Sequence, residues 1–304
     1  MFKYISKRLL ITIPVLIGLV FVVFFMLNIV AGDPVTIMMK EHVKPDVIEN
    51  LRKSMHLDDP FIVRFVRYIG DALHGDLGTS YKLKRPVVSL IAGAFPYTLK
   101  LAVCAALFSW LIGIPVGILS AVKKDSLVDR LFMGFSLFGV SMPVFWIGMI
   151  LQNIFKGVLP ISGFDTWKQM ILPTVVLGWQ ASGMIARLTR SSLLEVMTND
   201  YIRTARAKGL AEVLVLALHA LKNALMPVIT MMAIQVASLL SGAVITETIF
   251  SIPGIGRLSV DAIQRRDMPL LQGTVIFTAM LVIGGNLIAD VLYSVVDPRI
   301  RVDK

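Results

Sequence analysis

The feature that most constrains the fold is a series of apolar runs, each long enough to cross a lipid bilayer. A helix needs about 20 apolar residues to span the hydrocarbon core of a membrane. Six segments fit that length, and they are 9–30, 97–122, 128–155, 171–188, 223–247 and 270–296. The fourth segment is interrupted by Gln180 and Ser182 and ends at Arg187. The sequence therefore predicts an all-α polytopic membrane protein with six transmembrane helices.

The composition agrees with this class and argues against others. Only 16% of the 304 residues are charged, whereas about a quarter are charged in soluble proteins. The net charge of +10 could indicate nucleic-acid binding, but no basic run alternates with aromatic residues. We therefore expect the lipid bilayer, and no nucleic acid, as a partner. The single cysteine, Cys104, excludes an internal disulfide and a cysteine metal cluster.

The N-terminus and the basic residues predict the orientation. The chain starts like a signal peptide, but Leu9–Val30 is too long for the apolar centre of one, so we expect a retained span. In short loops, Lys and Arg favour the cytoplasmic side. The segments that share one side of a six-span chain carry Lys3, Lys7, Arg8, Lys123, Lys124, Arg187, Arg190, Arg203, Arg206, Lys208, Arg299, Arg301 and Lys304. We predict that both termini are cytoplasmic.

The long region 31–96 predicts a separate subdomain on the opposite, extracytoplasmic side. Its charges are mixed, and Phe61, Phe65 and Tyr68 recur at helical spacing between arginines. This pattern predicts a helix lying against the membrane face. Whether the subdomain docks a partner, caps a pore or only packs onto the spans is left open. The chain thus divides into 1–30, 31–96 and a five-helix core, 97–304.

Proline and small residues occur inside several predicted spans. Neighbouring helices can satisfy the backbone groups that a proline frees, so Pro14, Pro115 and Pro143 are compatible with continuous spans. Small residues lie four apart in Gly113–Gly117 and Ser238–Gly242, and such spacing lets two helices approach closely. We interpret both pairs as packing features.

A polar stretch at 200–222 predicts two helices that meet at a bend on the cytoplasmic side. Asn199 or Asp200 can cap the first helix, and Gly209 suits a left-handed C-terminal cap. Ala205 and Ala207 are small contacts between basic side chains, which predicts that this helix fits a groove on another protein. The alternative is an ordinary connecting loop with positive-inside charges.

Eight short motifs along the chain occur in the same order as in one protein family, and one of them lies in this polar stretch. The chain resembles the permeases of bacterial ABC importers, specifically the first (B-type) subunit of the dipeptide, oligopeptide, glutathione and nickel type. The resemblance covers nearly the whole chain and is carried by "AGDP", "HGDLGTS", "SMPVFWIG", "ILPTVVLG", "YIRTARAKGL", "ETIFSIPGIGRL", "RRDMPLLQG" and "DVLYSVVDPRIR". It implies a type I ABC importer permease (MetI-like) fold in the bacterial cytoplasmic membrane, with an extracytoplasmic insertion after helix 1.

The resemblance also implies the partners and the coupling residues. The partners would be a second related permease, two cytoplasmic ABC ATPase subunits and an extracytoplasmic substrate-binding protein. Contact with the ATPase would fall on Asp200, Arg203, Thr204, Ala205, Arg206, Ala207, Lys208, Gly209 and Leu210. The sequence departs from the family at Val213–Leu218, which is apolar where basic and polar residues are usual. This run is either buried or a weaker coupling surface.

Rival functions have less support. The chain has no G-x-x-x-x-G-K-[ST] phosphate loop, so we predict no bound cofactor and place ATP on partner subunits. No predicted span contains a His that could activate a serine, so we predict no enzyme and no catalytic or metal-binding residue. A stand-alone secondary transporter would need coupling carboxylates at mid-membrane, and Asp290 lies toward the cytoplasmic end of its span.

The substrate is the most weakly constrained property. Peptides are favoured by the breadth of the subfamily, with glutathione or a nickel chelate as alternatives. Polar residues inside spans are candidates for the translocation path, with interhelical hydrogen bonding as the alternative role. These candidates are Gln180, Gln235, Ser238, Ser241 and Asn286.

Overall fold

The computed structural model describes residues 2–30, 58–240 and 243–296, with side chains except at 2–9, 28–30 and 290–296. Within these ranges the regular elements are helices, as the sequence predicts. In chain order they are α1 (Phe2–Val30), α2 (Phe61–Leu73), α3 (Val87–Val122), α4 (Leu127–Ser141), α5 (Val144–Ile154), α6 (Trp167–Val196), α7 (Asp200–Ala207), α8 (Glu212–Leu240), α9 (Val244–Ile249), α10 (Ile255–Gln264) and α11 (Met268–Val296).

Four of the described helices are long and apolar enough to cross a membrane, or five spans if α4 and α5 together count as one. These four are α1, α3, α8 and α11. Helix α6 is also long enough, with 30 residues, but Gln180, Ser182 and Arg187 lower its hydropathy. It packs against α3, α4, α5 and α8, so neighbouring helices cover much of its surface. A span enclosed by other spans does not need to be apolar on every face.

The prediction of one continuous span at 128–155 is wrong. Helices α4 and α5 meet at an angle of 106°. Met142 at the junction is extended, with φ −80° and ψ 137°, and Pro143 precedes the first residue of α5. Proline disfavours helical geometry in the residue before it and cannot donate a backbone hydrogen bond. Pro143 therefore starts a new helix.

The prediction of a span over 223–247 is also wrong at its end. Helix α8 ends at Leu240, and Glu247 lies in the separate short helix α9. Ser241 and Gly242, which the sequence analysis singled out, lie outside the described residues. The predicted boundary between the subdomain 31–96 and the core 97–304 falls inside a helix. Helix α3 begins at Val87, so it extends across residues 96 and 97.

Close packing of α3 on α6 forms the centre of the bundle. A Cβ atom on Gly113 would lie 2.8 Å from the carbonyl oxygen of Ser182. A Cβ on Gly117 would lie 2.5 Å from the carbonyl oxygen of Ala186. Real Cβ atoms do not approach backbone so closely, so only glycine permits this helix separation. The packing role predicted for the Gly113–Gly117 pair is confirmed.

Two apolar clusters mark opposite ends of the bundle. At one end Val87 and Ile91 of α3 pack with Ile255 of α10 and Leu270 of α11, and we call this the α10 end. At the other end Ala121 of α3 packs with residues of α6, α7 and α8, and we call this the α7 end. Buried polar residues are found at both ends.

Candidate functional site

Helix α7 and the bend after it have the local geometry that the sequence predicts. The helix covers Asp200–Ala207, and Gly209 has φ +78°, where residues with a side chain are strained. The Gly209 N–H donates to the carbonyl oxygen of Arg206 at 2.9 Å. The side chain of Asn199 makes no capping hydrogen bond, so the predicted cap is wrong for that residue.

One face of α7 is buried against the chain itself. Ile202 and Ala205 pack with Ala121, Leu193 and Val215 in the cluster of the α7 end. Ala205 is only 6% exposed. The expectation that Ala205 enters a groove on a partner is therefore wrong, because α3, α6 and α8 already cover it. Its small side chain lets α7 lie close to those helices.

The opposite face of α7 and the bend are exposed. This surface carries both charges and small side chains, and the side chain of Arg203 is 73% exposed. It comprises Asp200, Arg203, Thr204, Ala207, Lys208, Gly209 and Leu210. Seven of the nine sequence-predicted coupling residues therefore share one outward surface. Arg206 is also exposed, but it has a different contact.

Arg206 bridges the bend to the first turn of α8. Its Nε lies 3.0 Å from Oε2 of Glu212, and its Nη2 lies 2.6 Å from Oε1 of the same carboxylate. These hydrogen bonds raise the pKa of the Arg206 guanidinium. Sequence reasoning missed this pair, because nothing in the spacing of six residues across a glycine indicates a contact. The pair fixes the angle between α7 and α8.

A second contact attaches α7 to α8. The amide nitrogen of Asn223 lies 3.0 Å from the hydroxyl of Tyr201. Tyr201 is at the start of α7, whereas Arg206 is at its end. The two contacts therefore attach both ends of α7 to α8, and α7 and the first part of α8 are joined as one unit.

The apolar run after the bend is divided between the interior and the surface. Val215 is fully buried at the start of a π-helical turn that covers Val215–Ala220. Val213 and Leu218 are exposed. The wider π-helical turn rotates the side chains that follow it relative to those of a regular helix. The run is therefore buried only in part, and a weaker coupling surface at its exposed residues stays a prediction.

The candidate path residues occupy different environments. Gln235 is buried, where its Oε1 accepts from Ser109 and Trp110 and its Nε2 donates to the carbonyl of Ala181 at 3.0 Å. These bonds join α8 to α3 and α6, which is the interhelical role that the sequence left open. Gln180 is half-buried.

Ser238 and Asn286 are exposed and lie beside the crossing of α8 and α11. At this crossing a Cβ on Gly285 would lie 2.5 Å from the Cβ of Ala237, so the two helices are in close contact. Ser238 directly follows Ala237 in α8, and Asn286 directly follows Gly285 in α11. The structure thus presents two polar side chains on the rim of one helix pair.

At the α10 end, a buried carboxylate that sequence reasoning missed fixes α10. Glu247 is fully buried, and its Oε2 accepts from the backbone N–H of Arg257 at 3.0 Å. The Gly256 N–H also donates to this carboxylate, and the Ile255 N–H donates to Oγ1 of Thr98. The first turn of a helix leaves such N–H groups unpaired and favours negative charge. Glu247 and Thr98 therefore supply the N-terminal cap of α10.

The motif "ETIFSIPGIGRL" contains the signal for this arrangement. A Cβ on Gly254 would overlap the Glu247 carboxylate, and one on Gly256 would lie 3.0 Å from its Oε2. The two glycines therefore permit the close approach of the Glu247 carboxylate to the start of α10.

Asp267 is a second buried carboxylate at the α10 end. Its Oδ2 accepts from the hydroxyl of Ser80 at 2.5 Å and from the Lys82 N–H at 3.0 Å, and its Oδ1 accepts from the Tyr81 N–H at 3.1 Å. Burial, together with the charge of Asp267, raises the pKa of Tyr81 to about 12. Asp267 thus ties the loop before α3 to the start of α11.

An ion pair inside the α7 end was also missed. Arg190 donates through Nε and Nη2 to the two carboxylate oxygens of Asp129, both at 2.7 Å. Arg190 lies within α6 rather than in a loop, and Asp129 is in the first turn of α4. Two parallel hydrogen bonds fix orientation as well as distance. The pair therefore holds α4 against α6 beside the α7 unit.

The described residues contain no group of three His, Cys, Asp or Glu side chains that could hold a metal ion. The carboxylates of Glu247, Asp267 and Asp129 are instead bonded to backbone N–H groups or to other side chains. Helix α7 is thus exposed at one end of the bundle, and hydrogen bonds hold the start of α10 at the other.

Comparison with known proteins identifies the family. The model of the binding-protein-dependent transport system inner membrane component matches residues 113–302, and the model of its N-terminal part matches residues 1–102. The chain is 42% identical to the dipeptide transport system permease protein DppB of Escherichia coli (strain K12), over 99% of both chains. It is 41% identical to the glutathione transport system permease protein GsiC of Salmonella typhimurium (strain LT2), over 99% of both.

Solved structures share the fold. An inward-facing MetNI methionine ABC transporter matches with a TM-score of 0.59 and 18% identity, covering 68% of this chain and 96% of that one. An amino acid ABC transporter crystallised with histidines matches with a TM-score of 0.53 and 13% identity, covering 67% and 93%. The predicted MetI-like permease fold is confirmed. The chain is a multi-pass membrane protein and belongs to the family of binding-protein-dependent transport system inner membrane components.

Proposed function

We propose that this chain is a permease subunit of an ATP-driven importer and forms half of the translocation pore for peptides of the di- and oligopeptide class. The observation that carries the substrate class is the identity of 42% to a dipeptide permease over the full length of both chains. Members of this family are transport components and not enzymes, in agreement with the sequence prediction.

The proposed partners follow from the family and from the surfaces of the chain. A binding protein delivers substrate at the α10 end, and ATPase subunits act at the α7 end. The pore has two halves, and a second, related permease supplies the other half. The absence of a phosphate loop in this sequence supports a separate source of ATP hydrolysis.

Coupling is assigned to the exposed face of α7 because α7 is held in a defined position while this face remains exposed in the described part of the chain. Closure of two ATPase subunits would displace α7. The contacts of Arg206 and Tyr201 would pass this displacement to α8, because they join α7 to that helix at both ends. A displacement of this kind can be transmitted as a rigid-body rotation of the packed helices between two states. The pore would thereby alternate between outward and inward access.

The proposed path runs beside the α8–α11 crossing. Ser238 and Asn286 are its favoured lining residues because both are polar and exposed near one helix contact. Gln180 and Ser241 remain candidates. Gln235 has the weakest support, since its amide is already bonded to three neighbours.

The orientation is proposed from the basic residues. The α7 end carries Lys123, Lys124, Arg203 and Lys208, and positive charge in short loops favours the cytoplasmic side. Both termini would then be cytoplasmic. Cysteine at Thr204 or Ala207 should react only with a reagent that enters the cytoplasm. Labelling of either position by a reagent that stays outside intact cells would show that the proposed orientation is wrong.

A second substrate class is favoured by one observation. The identity of 41% to a glutathione permease is nearly as high as that to the dipeptide permeases. Reconstitution with the partner subunits in vesicles separates the two candidates. ATP-dependent uptake of dipeptides supports the proposal, whereas uptake of glutathione alone supports the second candidate. Uptake by this chain without any ATPase would instead indicate a secondary transporter.

A further inference from the structure

Helix α2 has an apolar stripe that nothing in the described residues covers. Ile62, Val66 and Leu73 are 60%, 62% and 82% exposed. Their spacing of four and seven residues places them on one face of the helix, with the half-buried Ile69 between them. A contiguous exposed apolar surface of this kind usually marks a site that contacts a membrane, another protein or a ligand.

The other two faces of α2 show how the helix is oriented. Phe61, Phe65 and Tyr68 form an aromatic face that packs on Phe21 and Phe24 of α1. The polar face, which carries Arg64, Arg67 and Asp71, lies opposite the apolar stripe, because each residue advances about 100° around a helix. A helix with apolar and polar sides opposed is suited to the boundary between lipid and water.

The ring contacts locate α2 along α1. On α1 they fall within about one turn, Phe21–Phe25. On α2 they involve Phe61, Phe65 and Tyr68. Helix α2 therefore packs beside the last part of the apolar segment of α1, Leu10–Leu27.

The contact position also gives the depth of α2. Phe24 is three residues from Leu27, where the apolar span segment of α1 ends, which corresponds to about 5 Å along the helix. Interfacial helices bury their apolar side about 5–10 Å into the boundary of headgroups and acyl chains. Val22 and Met26 of α1 are exposed beside this contact and belong to the same lipid-facing span. The stripe therefore continues a surface that already faces lipid.

We propose that α2 is an interfacial helix whose stripe, Ile62, Val66 and Leu73, contacts the lipids of the leaflet at the Val30 end of α1. Its polar face points to water, where Arg67 pairs with Asp59 at 2.9 Å and the arginines lie at headgroup level. Lipid is the occupant because the depth of the contact and the opposed polar face both match a bilayer boundary. The proposal does not depend on the substrate or on the orientation of the chain.

The test uses the full chain with its partner subunits in lipid nanodiscs. Cys104→Ala removes the native cysteine, and a single new cysteine at Val66 carries an environment-sensitive fluorophore. Asp71→Cys is the matched control, because it lies on the same helix but on the polar face. Lipids brominated on their acyl chains quench a label that contacts lipid, and iodide quenches a label in water. Ile62→Cys repeats the measurement at a second position of the stripe.

We expect the labels at Val66 and Ile62 to be quenched several-fold more by brominated lipid than the label at Asp71, with the reverse order for iodide. Equal quenching of the stripe and control labels by brominated lipid would overturn the proposal. Protection of the stripe labels from both quenchers would also overturn it, because protein would then cover the face.

Discussion

The hydroxyl of Thr98 and the carboxylate of Glu247 lie 2.7 Å apart inside the α10 end, although 149 residues separate them in the chain. The Thr98 hydroxyl donates to Glu247 and accepts from the Ile255 N–H at 2.9 Å. Helices α3, α9 and α10 therefore meet at one hydrogen-bonded group. The position of α10 at this end of the bundle therefore depends on the side chains of Thr98 and Glu247.

Replacing Glu247 should destabilise the protein. Glu247→Ala leaves Thr98 and the N–H groups of Gly256 and Arg257 without their partner and opens a cavity, so we expect a loss of about 2–4 kcal/mol in unfolding free energy. Glu247→Gln keeps one acceptor and should cost less. Thermal unfolding of the purified complex measures the order. Glu195→Ala, at an exposed carboxylate, is the control and should have little effect; an equal loss in both alanine variants would contradict this.

Gly254 should tolerate no side chain, although its backbone is not strained. Its φ is −91°, which any residue adopts, but an added Cβ would overlap the Glu247 carboxylate. We expect Gly254→Ala to lower the unfolding temperature by displacing Glu247. The matched control is Gly134→Ala in α4, where a Cβ meets nothing within 4 Å. The idea fails if Gly254→Ala lowers the unfolding temperature no more than Gly134→Ala does.

Breaking the pair of Arg206 and Glu212 should uncouple transport from ATP hydrolysis. Arg206→Ala frees the end of α7, so we expect more ATP hydrolysed per substrate molecule in vesicles, while the chain still inserts in the membrane. Lys222→Ala is the control, because Lys222 is an exposed basic residue of α8 that lies outside the exposed face of α7. Recovery in the double variant Arg206→Glu with Glu212→Arg would support the pair, and equal effects of the two alanine variants would refute it.

Gly209 should be sensitive to backbone conformation rather than to volume. A Cβ there meets nothing within 4 Å, but φ is +78°, which costs a residue with a side chain about 1–2 kcal/mol. We expect Gly209→Val to redirect α7 and reduce transport strongly. Gly209→Asn should be milder, because asparagine adopts left-handed geometry more readily than valine. Transport assays in vesicles rank the two variants, and equal activities would show that the bend does not depend on this angle.

Ala205 and Ala207 lie two residues apart, but substitution by glutamate should affect chain stability at the first and ATPase binding at the second. Ala205→Glu places a charge in the apolar cluster of the α7 end, so it should lower the thermal stability of the isolated chain. Ala207→Glu changes only the exposed face, so it should leave that stability unchanged and weaken retention of the ATPase. Pull-down of the ATPase together with unfolding of the chain alone separates the effects. A stable chain with Ala205→Glu would mean that α7 does not pack as described.

Local patterns were sufficient for most of the helical elements. Apolar runs predicted the long helices α1, α3, α8 and α11, because the requirement to satisfy backbone groups in lipid leaves few alternatives to a helix. The glycine pair of α3 predicted close packing, and Gly209 predicted a left-handed bend. The ends of elements were less predictable, since whether Pro143 kinks a helix or ends it depends on the helices around it.

The sequence by itself determined the class, the apolar helices and the position of the bend, because each of these depends on residues close together in the chain. The tertiary structure decided which side chains meet: Glu247 with Thr98, Asp267 with Ser80, and Arg190 with Asp129. It also decided that Ala205 faces inward while Ala207 faces outward. Such contacts join residues 61 to 187 positions apart. No local pattern encodes them, because they exist only when packing brings distant helices within hydrogen-bonding distance.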